Sequence, residues 1–366
     1  MRLGPRLQAA VVLLAAVVAF APRPADVVEH VYATRLYPPL QAAVTTASNL
    51  VPLAIFDVVL SAALVSAVWI WGRALFATRR TRHLRPLLSA LRLTLVAAAT
   101  GYLWFVAIWG LNYARPPIDV RLALPAAAAT SAEVLALLDL SIERANGLYD
   151  AARADHAVAS DGAPNQTASD IAVALHAVEA RQGRPRPTVP GRVKPTLLAL
   201  YFRMAGVDGM TAPAALETLL NPDLTAFERP FVLAHEWAHL AGYAPEADAN
   251  FVAWLTTMEP SAAPRTAYSG WLFLLSETAA QVPREARRAS LLRLASGPRR
   301  DLDAIAERTR QQVEVVQRVG WRVYDQYLRS QGVQEGIVSY SRVVDLIARA
   351  SRTTASGSAA PVPVPQ

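Results

Sequence analysis

Apolar positions along this chain follow two regimes. Up to about residue 111 they run together in long unbroken blocks, and beyond it they thin into stripes interrupted by polar and charged residues. Three blocks stand out, at residues 7–21, 50–71 and 93–111. The second and third are nearly free of charge and long enough, as helices, to cross a hydrocarbon layer of roughly 30 Å. Asp57 lies inside the second, where a carboxylate is costly in lipid and is expected to face other helices. Trp104 and Trp109 sit near the far end of the third as interface anchors. The first block is shorter and follows Arg2 and Arg6. Ala19-Phe20-Ala21 resembles a cleavage box, but Pro22 comes directly after it, so a retained signal-anchor helix is expected.

After Asn112-Tyr113-Ala114-Arg115-Pro116-Pro117 the pattern is that of a soluble domain, expected over residues 114–350. Thr130-Ser131-Ala132-Glu133 has the form of a capping box. It opens a helix whose apolar side carries Val134, Leu135, Leu137, Leu138 and Ile142. Residues 157–168, polar with Gly and Pro, predict a loop, then a helix over 169–180, then an Arg-, Pro- and Gly-rich loop over 181–195. The short apolar runs 196–204 and 215–220 read as small strands. Residues 216–220 are the candidate edge along which an extended substrate would lie. Long helices are expected over 268–294 and 302–330, and a disordered Ala/Ser/Pro-rich tail over 353–366. The fold class is therefore a mainly α membrane protein: three N-terminal transmembrane helices within residues 1–113, followed by a mostly helical α+β domain with a small sheet.

Charge orients this picture. The chain carries a formal net charge of +7. Arg73, Arg79, Arg80, Arg82, Arg85 and Arg92 cluster between the second and third blocks, which makes that loop cytoplasmic by the positive-inside rule. The N-terminus then shares its side, while residues 22–49 and everything after 111 are extracytoplasmic. The basic residues are not interleaved with aromatics in any nucleic-acid-binding pattern, so the expected partners are the lipid bilayer and a peptide or protein substrate, with no nucleic acid. Cysteine is absent, so a metal would have to be held by histidine and carboxylate.

The chemistry is concentrated in His235-Glu236-Trp237-Ala238-His239. On a helix the two histidines share a face one turn apart and can grip one metal ion, with Glu236 beside bound water. Pro230 suits the first helical position and Gly242 a left-handed stop. A catalytic zinc usually takes three protein ligands and keeps one position for water. The third is sought on a second helix starting near Pro245, where Glu246 and Asp248 both qualify. Glu246 is favoured because Asn250, four residues later, shares its face and would steady a ligand histidine. His156 and His176 are isolated and read as ordinary histidines. Tyr268, in a Tyr-Ser-Gly turn, is the candidate catalytic donor to an oxyanion, against the simpler role of a packed tyrosine. Glu217, near the candidate edge strand, reads as a solvated acid.

These blocks resemble a bacterial family of membrane proteins, domain-of-unknown-function family 3810. The likeness is carried by Phe105 to Pro116, by the histidine motif with Gly242, Glu246 and Ala249-Asn250-Phe251, by Tyr268-Ser269-Gly270, and by the late blocks beginning at Tyr324 and Ser339. It covers about residues 105–346. It departs at Asp248, where the family more often has Glu, which leaves Glu246 favoured. The resemblance implies a zincin-like protein anchored in the bacterial inner membrane and no known substrate. A wider likeness to glutamate-type zincins also fits Glu246 and Asn250, although Glu246 follows His239 closely for that pattern, so the turn at Gly242 must be tight. The expectation is a zinc metallopeptidase with Glu236 as general base. The alternatives are a non-catalytic scaffold with a structural or relic zinc site, and a zinc hydrolase of a non-peptide amide.

Overall fold

The computed structural model describes residues 4–162, 166–330 and 342–355. The chain opens with α1 (Pro5–Phe20), then α2 (Ala25–Val27), a π-helical stretch (Val28–Leu36) and α3 (Tyr37–Asn49). Next come α4 (Ile55–Thr81) and α5 (Arg85–Ile108), both long and apolar enough to cross a membrane. α1 and the helical run 25–49 form a pair bent by 111°, which passes the same test only when taken as one span. α5 lies between α1 and α4. The molecule is thus a mainly helical membrane protein, with the spans near their expected places but shifted toward the Arg-rich turn. α4 continues ten residues past Trp71 because nothing in 72–81 breaks a helix, and it stops at Arg82 in a left-handed conformation.

A short 3₁₀ turn (Gly110–Ala114) and α6 (Ile118–Arg121) lead into α7 (Ser131–Gly162) and α8 (Gln166–Arg181). The capping box is present: Thr130 and Glu133 exchange hydrogen bonds across the first turn of α7. α7 runs through 157–162, where a loop was expected, and Gly162 is its last residue; residues 163–165 of the expected loop lie outside the described residues. Strands β1 (Val193–Lys194), β2 (Gly209–Ala212) and β3 (Glu217–Leu220) make a sheet ordered β1-β3-β2, with β1 parallel and β2 antiparallel to β3. Two strand expectations change. The run 196–204 contains a helix, α9 (Ala199–Ala205), whose apolar residues are split between two faces. Residues 217–220 are the central strand rather than the edge, which is why all four are buried. The edge that faces the site is β2.

Helices α10 (Arg229–Leu240), α11 (Glu246–Thr257), α12 (Pro264–Gln281), α13 (Arg284–Leu291), α14 (Ser296–Thr309), α15 (Glu314–Ser330) and α16 (Arg342–Ala355) complete the chain. The expected helix over 268–294 divides at Val282-Pro283, as proline requires. The one over 302–330 divides near residues 310–313. Residues 353–355 extend α16, and the rest of the expected tail lies outside the described residues. So do Ser339 to Ser341 of the late block.

The main core gathers around α10 and α11, with Trp254, Phe251, Leu240 and Ile347 fully buried. The stretch 25–49 belongs to this core. Tyr32 and Tyr37 are buried in it, Gln41 bonds Val189, and Thr45 bonds Leu216. Its mixed polar and apolar sequence fits a helix sunk in protein rather than lipid. A joint between spans and domain is built on Glu217. Its buried carboxylate accepts the backbone N–H groups of Ile55 and Phe56, both at 2.9 Å, and pairs with the buried Lys194. Those N–H groups are the unpaired donors at the start of α4, so the anion caps the span from outside it. Glu217 is therefore a buried structural acid, not a solvated one. Asp57 points to the domain as well, accepting from Thr196 Oγ1 at 2.9 Å and Leu197 N–H at 2.7 Å.

Candidate metal centre and its cavity

α10 carries the histidine motif. Pro230 stands in its first turn and Gly242 follows it with φ +83°, the conformation a side chain would resist. Backbone N–H groups of the turn close the carbonyls of Trp237, Ala238 and His239, and side chains from elsewhere meet the three carbonyls that follow. Tyr37 Oη donates to Leu240 O at 2.9 Å, Arg184 donates to Ala241 O, and Arg115 donates to Gly242 O at 2.8 Å. Arg115 is held in turn by Glu29 in a two-pronged pair. The tight turn that the short spacing from His239 to Glu246 demands is thus clamped from three sides. Sequence reading did not find these clamps. The one available signal was Arg115 in an otherwise apolar stretch, directly after a span.

The clamped turn swings α11 back so that its first residue, Glu246, meets α10. Glu246 Oε2 lies 3.3 Å from His235 Nε2 and 3.6 Å from His239 Nε2. One ligand atom from each of the three falls within 4.8 Å of the others, and among the described residues no other such cluster of His, Asp or Glu forms. His239 Nδ1 lies 2.8 Å from the carbonyl of Tyr243, which fixes the ring and leaves Nε2 toward Glu246. Burial pushes the Glu246 carboxyl up, but the charge of His239 and hydrogen bonds from both histidines outweigh it and hold it well below the usual range. Burial would lower His239, yet the Glu246 carboxylate raises it to about 9. Two imidazole nitrogens and one carboxylate oxygen converging from two helices fit the donor set of a zinc site with room for water.

Asp248 points away. It pairs with Arg121 at 3.2 Å, and the guanidinium groups of Arg115 and Arg121 lie 5.4 and 5.0 Å from the Tyr243 ring centre. Asn250 lines the cavity beside the cluster, but among the described residues the hydrogen bond that orients His239 comes from the Tyr243 carbonyl rather than from Asn250. His176 bonds the Thr188 carbonyl at 2.8 Å, an ordinary structural contact. His156 lies in α7, and its side chain is outside the described residues. Tyr268 is fully buried; its phenol donates to Asp301 at 2.7 Å and its ring packs against Phe227 and Tyr149. Tyr268 is not among the residues that line the cavity; Ser269 and Leu272 of the same helix are.

Glu236 is buried beside the cluster against β2. The Thr211 hydroxyl lies 2.9 Å from Glu236 Oε2 and 2.8 Å from the Glu236 carbonyl. Gly209 lets the carboxylate approach the strand: a Cβ there would stand 2.5 Å from Oε1. Burial pushes the Glu236 carboxyl up, against the opposing charges of His235 and His239. Thr211 and Gly209 were missed because the run 209–212 has neither length nor alternation enough to read as a strand.

The cluster opens into a cavity of about 770 Å³. Its walls are rich in aromatic rings, among them Phe56, Phe105, Trp109, Phe202 and Trp321. Trp109 ends α5 and sets its edge on His239, with ring centres 5.9 Å apart. The polar groups sit around the histidines, along an Asp208–Arg308–Glu228 ion group, and at Ser276, Glu277 and Thr309.

A family model described as Protein of unknown function (DUF3810) matches residues 32–348. The match begins well before residue 105, inside the helical stretch that packs into the domain core. No curated protein and no solved structure matches the chain.

Proposed function

The chain belongs to the DUF3810 family, whose function is unknown, and from the site itself we propose that it is a membrane-anchored zinc metallopeptidase with a zincin-like, glutamate-type domain. One observation carries this reading: His235, His239 and Glu246 converge within 4.8 Å on the wall of a large cavity, with Glu236 beside them. His235, His239 and Glu246 would hold the metal, and Glu236, which is not among the ligands, is what a purely structural site would have no need of. When bound, zinc supplies a Lewis acid for the scissile carbonyl and lowers the pKa of its water.

The chain's own groups divide the remaining work. Glu236 accepts the proton of the attacking water and passes it to the leaving amine. Thr211 and the Tyr243 carbonyl hold Glu236 and His239 in position. The free edge of β2, whose Gly209, Met210 and Thr211 line the cavity, is placed to pair with an extended substrate backbone. With α1 counted as a third span and the Arg-rich turn cytoplasmic, the domain lies on the extracytoplasmic face of a bacterial inner membrane.

The test is metal analysis and peptide hydrolysis by the detergent-solubilised full chain. One zinc per chain is expected, lost in His235→Ala and His239→Ala. Glu236→Gln is expected to keep the zinc and lose turnover by on the order of 10²–10⁴-fold. Unchanged zinc in both histidine variants rejects the site.

A further inference from the structure

α9 is a seven-residue helix packed on the start of α4 on one side and on α15 on another, and it leaves two leucines uncovered. Inward, Leu198 and Phe202 pack with Ala54 and Phe56 at the start of α4. Thr196 and Leu197, in the turn before α9, are bonded to Asp57, the third residue of that span. Outward, Leu197 and Leu200, three residues apart, are 78% and 61% exposed, whereas the neighbouring Tyr201 lies against Gly320 of α15 and lines the cavity. Leu50 and Leu53, in the turn that enters α4, are exposed as well. Trp104, near the end of α5, is half-exposed and donates its indole N–H to the Ala214 carbonyl.

The bonds to Asp57 hold Thr196 and Leu197 level with the first turn of α4. α4 runs from its bond with α9 directly into Val58 and Val59, which are exposed on a span. The outer face of α9 therefore continues the lipid-facing surface of α4 at the height where the span leaves the membrane. An indole with one edge hydrogen-bonded and one face exposed suits that boundary. On its other side α9 walls the cavity through Tyr201, Phe202 and Ala205. α9 thus walls the cavity, together with Gly320 and Trp321 of α15, and carries the exposed leucines on its outer side.

We propose that Leu197 and Leu200, at the start of α9, bed into the bilayer leaflet on the domain's side, and that α9 forms the lip through which the cavity meets the membrane. The occupant is lipid, because Leu197 is bonded to a span at Asp57, next to the exposed Val58 and Val59 of that span. If the metallopeptidase reading is also right, the substrate class follows: polypeptide segments that are apolar and presented at the bilayer surface, received among Phe56, Phe105 and Trp109.

The absence of cysteine makes the test direct. Single-cysteine variants Leu200→Cys, Leu197→Cys and Arg293→Cys of the full chain are labelled with a nitrobenzoxadiazole fluorophore. They are reconstituted in phosphatidylcholine/phosphatidylglycerol vesicles, with and without lipids carrying a shallow nitroxide. Arg293 follows α13, which packs on α7 away from the spans. The expected result is blue-shifted emission and loss of intensity with nitroxide lipid at positions 200 and 197, but not at 293. Emission at 200 and 197 that matches position 293, is indifferent to nitroxide lipid and is quenched by aqueous iodide overturns the proposal. Two labelled positions read the same face, so one poorly folded variant does not void the test. Neither readout uses zinc or turnover, so failure here is distinct from failure of the peptidase reading.

Discussion

Glu236 has little choice of position. Gly209 gives it room on one side, Thr211 bonds it, and the two histidines flank it on its own helix. Gly209→Ala is therefore expected to keep zinc and fold while displacing the carboxylate, with a loss of turnover on the order of 10²-fold, the usual effect of misplacing a reacting group by about an ångström. Parallel metal analysis and kinetics check this; loss of zinc together with activity would place the damage elsewhere. The third ligand is decided at the same scale. Glu246 meets both histidines, whereas Asp248 is bound to Arg121. Glu246→Gln is expected to weaken zinc binding far more than Asp248→Asn in a chelator competition. Asn250→Ala should cost less than the roughly 10–100-fold usual for a residue that orients a ligand, since a backbone carbonyl already orients His239.

At the scale of elements, the joint between β3 and α4 is the point of greatest leverage. Lys194 and Glu217 are fully buried, and Glu217 also serves two N–H groups of the span. Removing one partner leaves a charge without its counterpart in the interior. Glu217→Ala should therefore destabilise the chain by about 3–5 kcal/mol, read as a lower unfolding midpoint in detergent. A midpoint equal to that of the parent chain would mean the joint carries no strain of this kind. Sequence made the long signals legible: two spans, the capping box, the motif helix with its Pro230 entry and Gly242 exit, and Glu246 as the residue that meets the histidines. Short elements were misread for a common reason. In α9, β2 and β3 the apolar residues answer to neighbours distant in sequence, so their own periodicity says little. Glu217 is the sharpest case: an acid in a short strand has no local mark that it will cap a helix more than 160 residues away.

Across the whole molecule, the Arg-rich turn and the metal centre should lie on opposite faces of the membrane. Accessibility labelling of single cysteines at positions 80 and 300 in intact spheroplasts is expected to reach 300 and spare 80; labelling of both from one side rejects the arrangement. The boundary between membrane region and domain, however, does not fall at one point of the chain. Residues 22–49, expected only to be extracytoplasmic, are helical over 25–49 and fill part of the core around the motif helix.

That interleaving governs what can be cut away. The turn that ends the motif helix depends on Tyr37 and on Arg115, and Arg115 depends on Glu29. The capped start of α4 depends on Glu217, which also accepts from Ser48. A water-soluble fragment begun after the last span would discard Tyr37, Glu29 and Ser48 together. It would leave the floor of the Gly242 turn, buried acids and a wall of the cavity bare. Biochemists seeking a small, detergent-free version of this protein should expect aggregated material from any such truncation, and should instead keep residues 25–49 and join them to the later chain across a loop that replaces the spans.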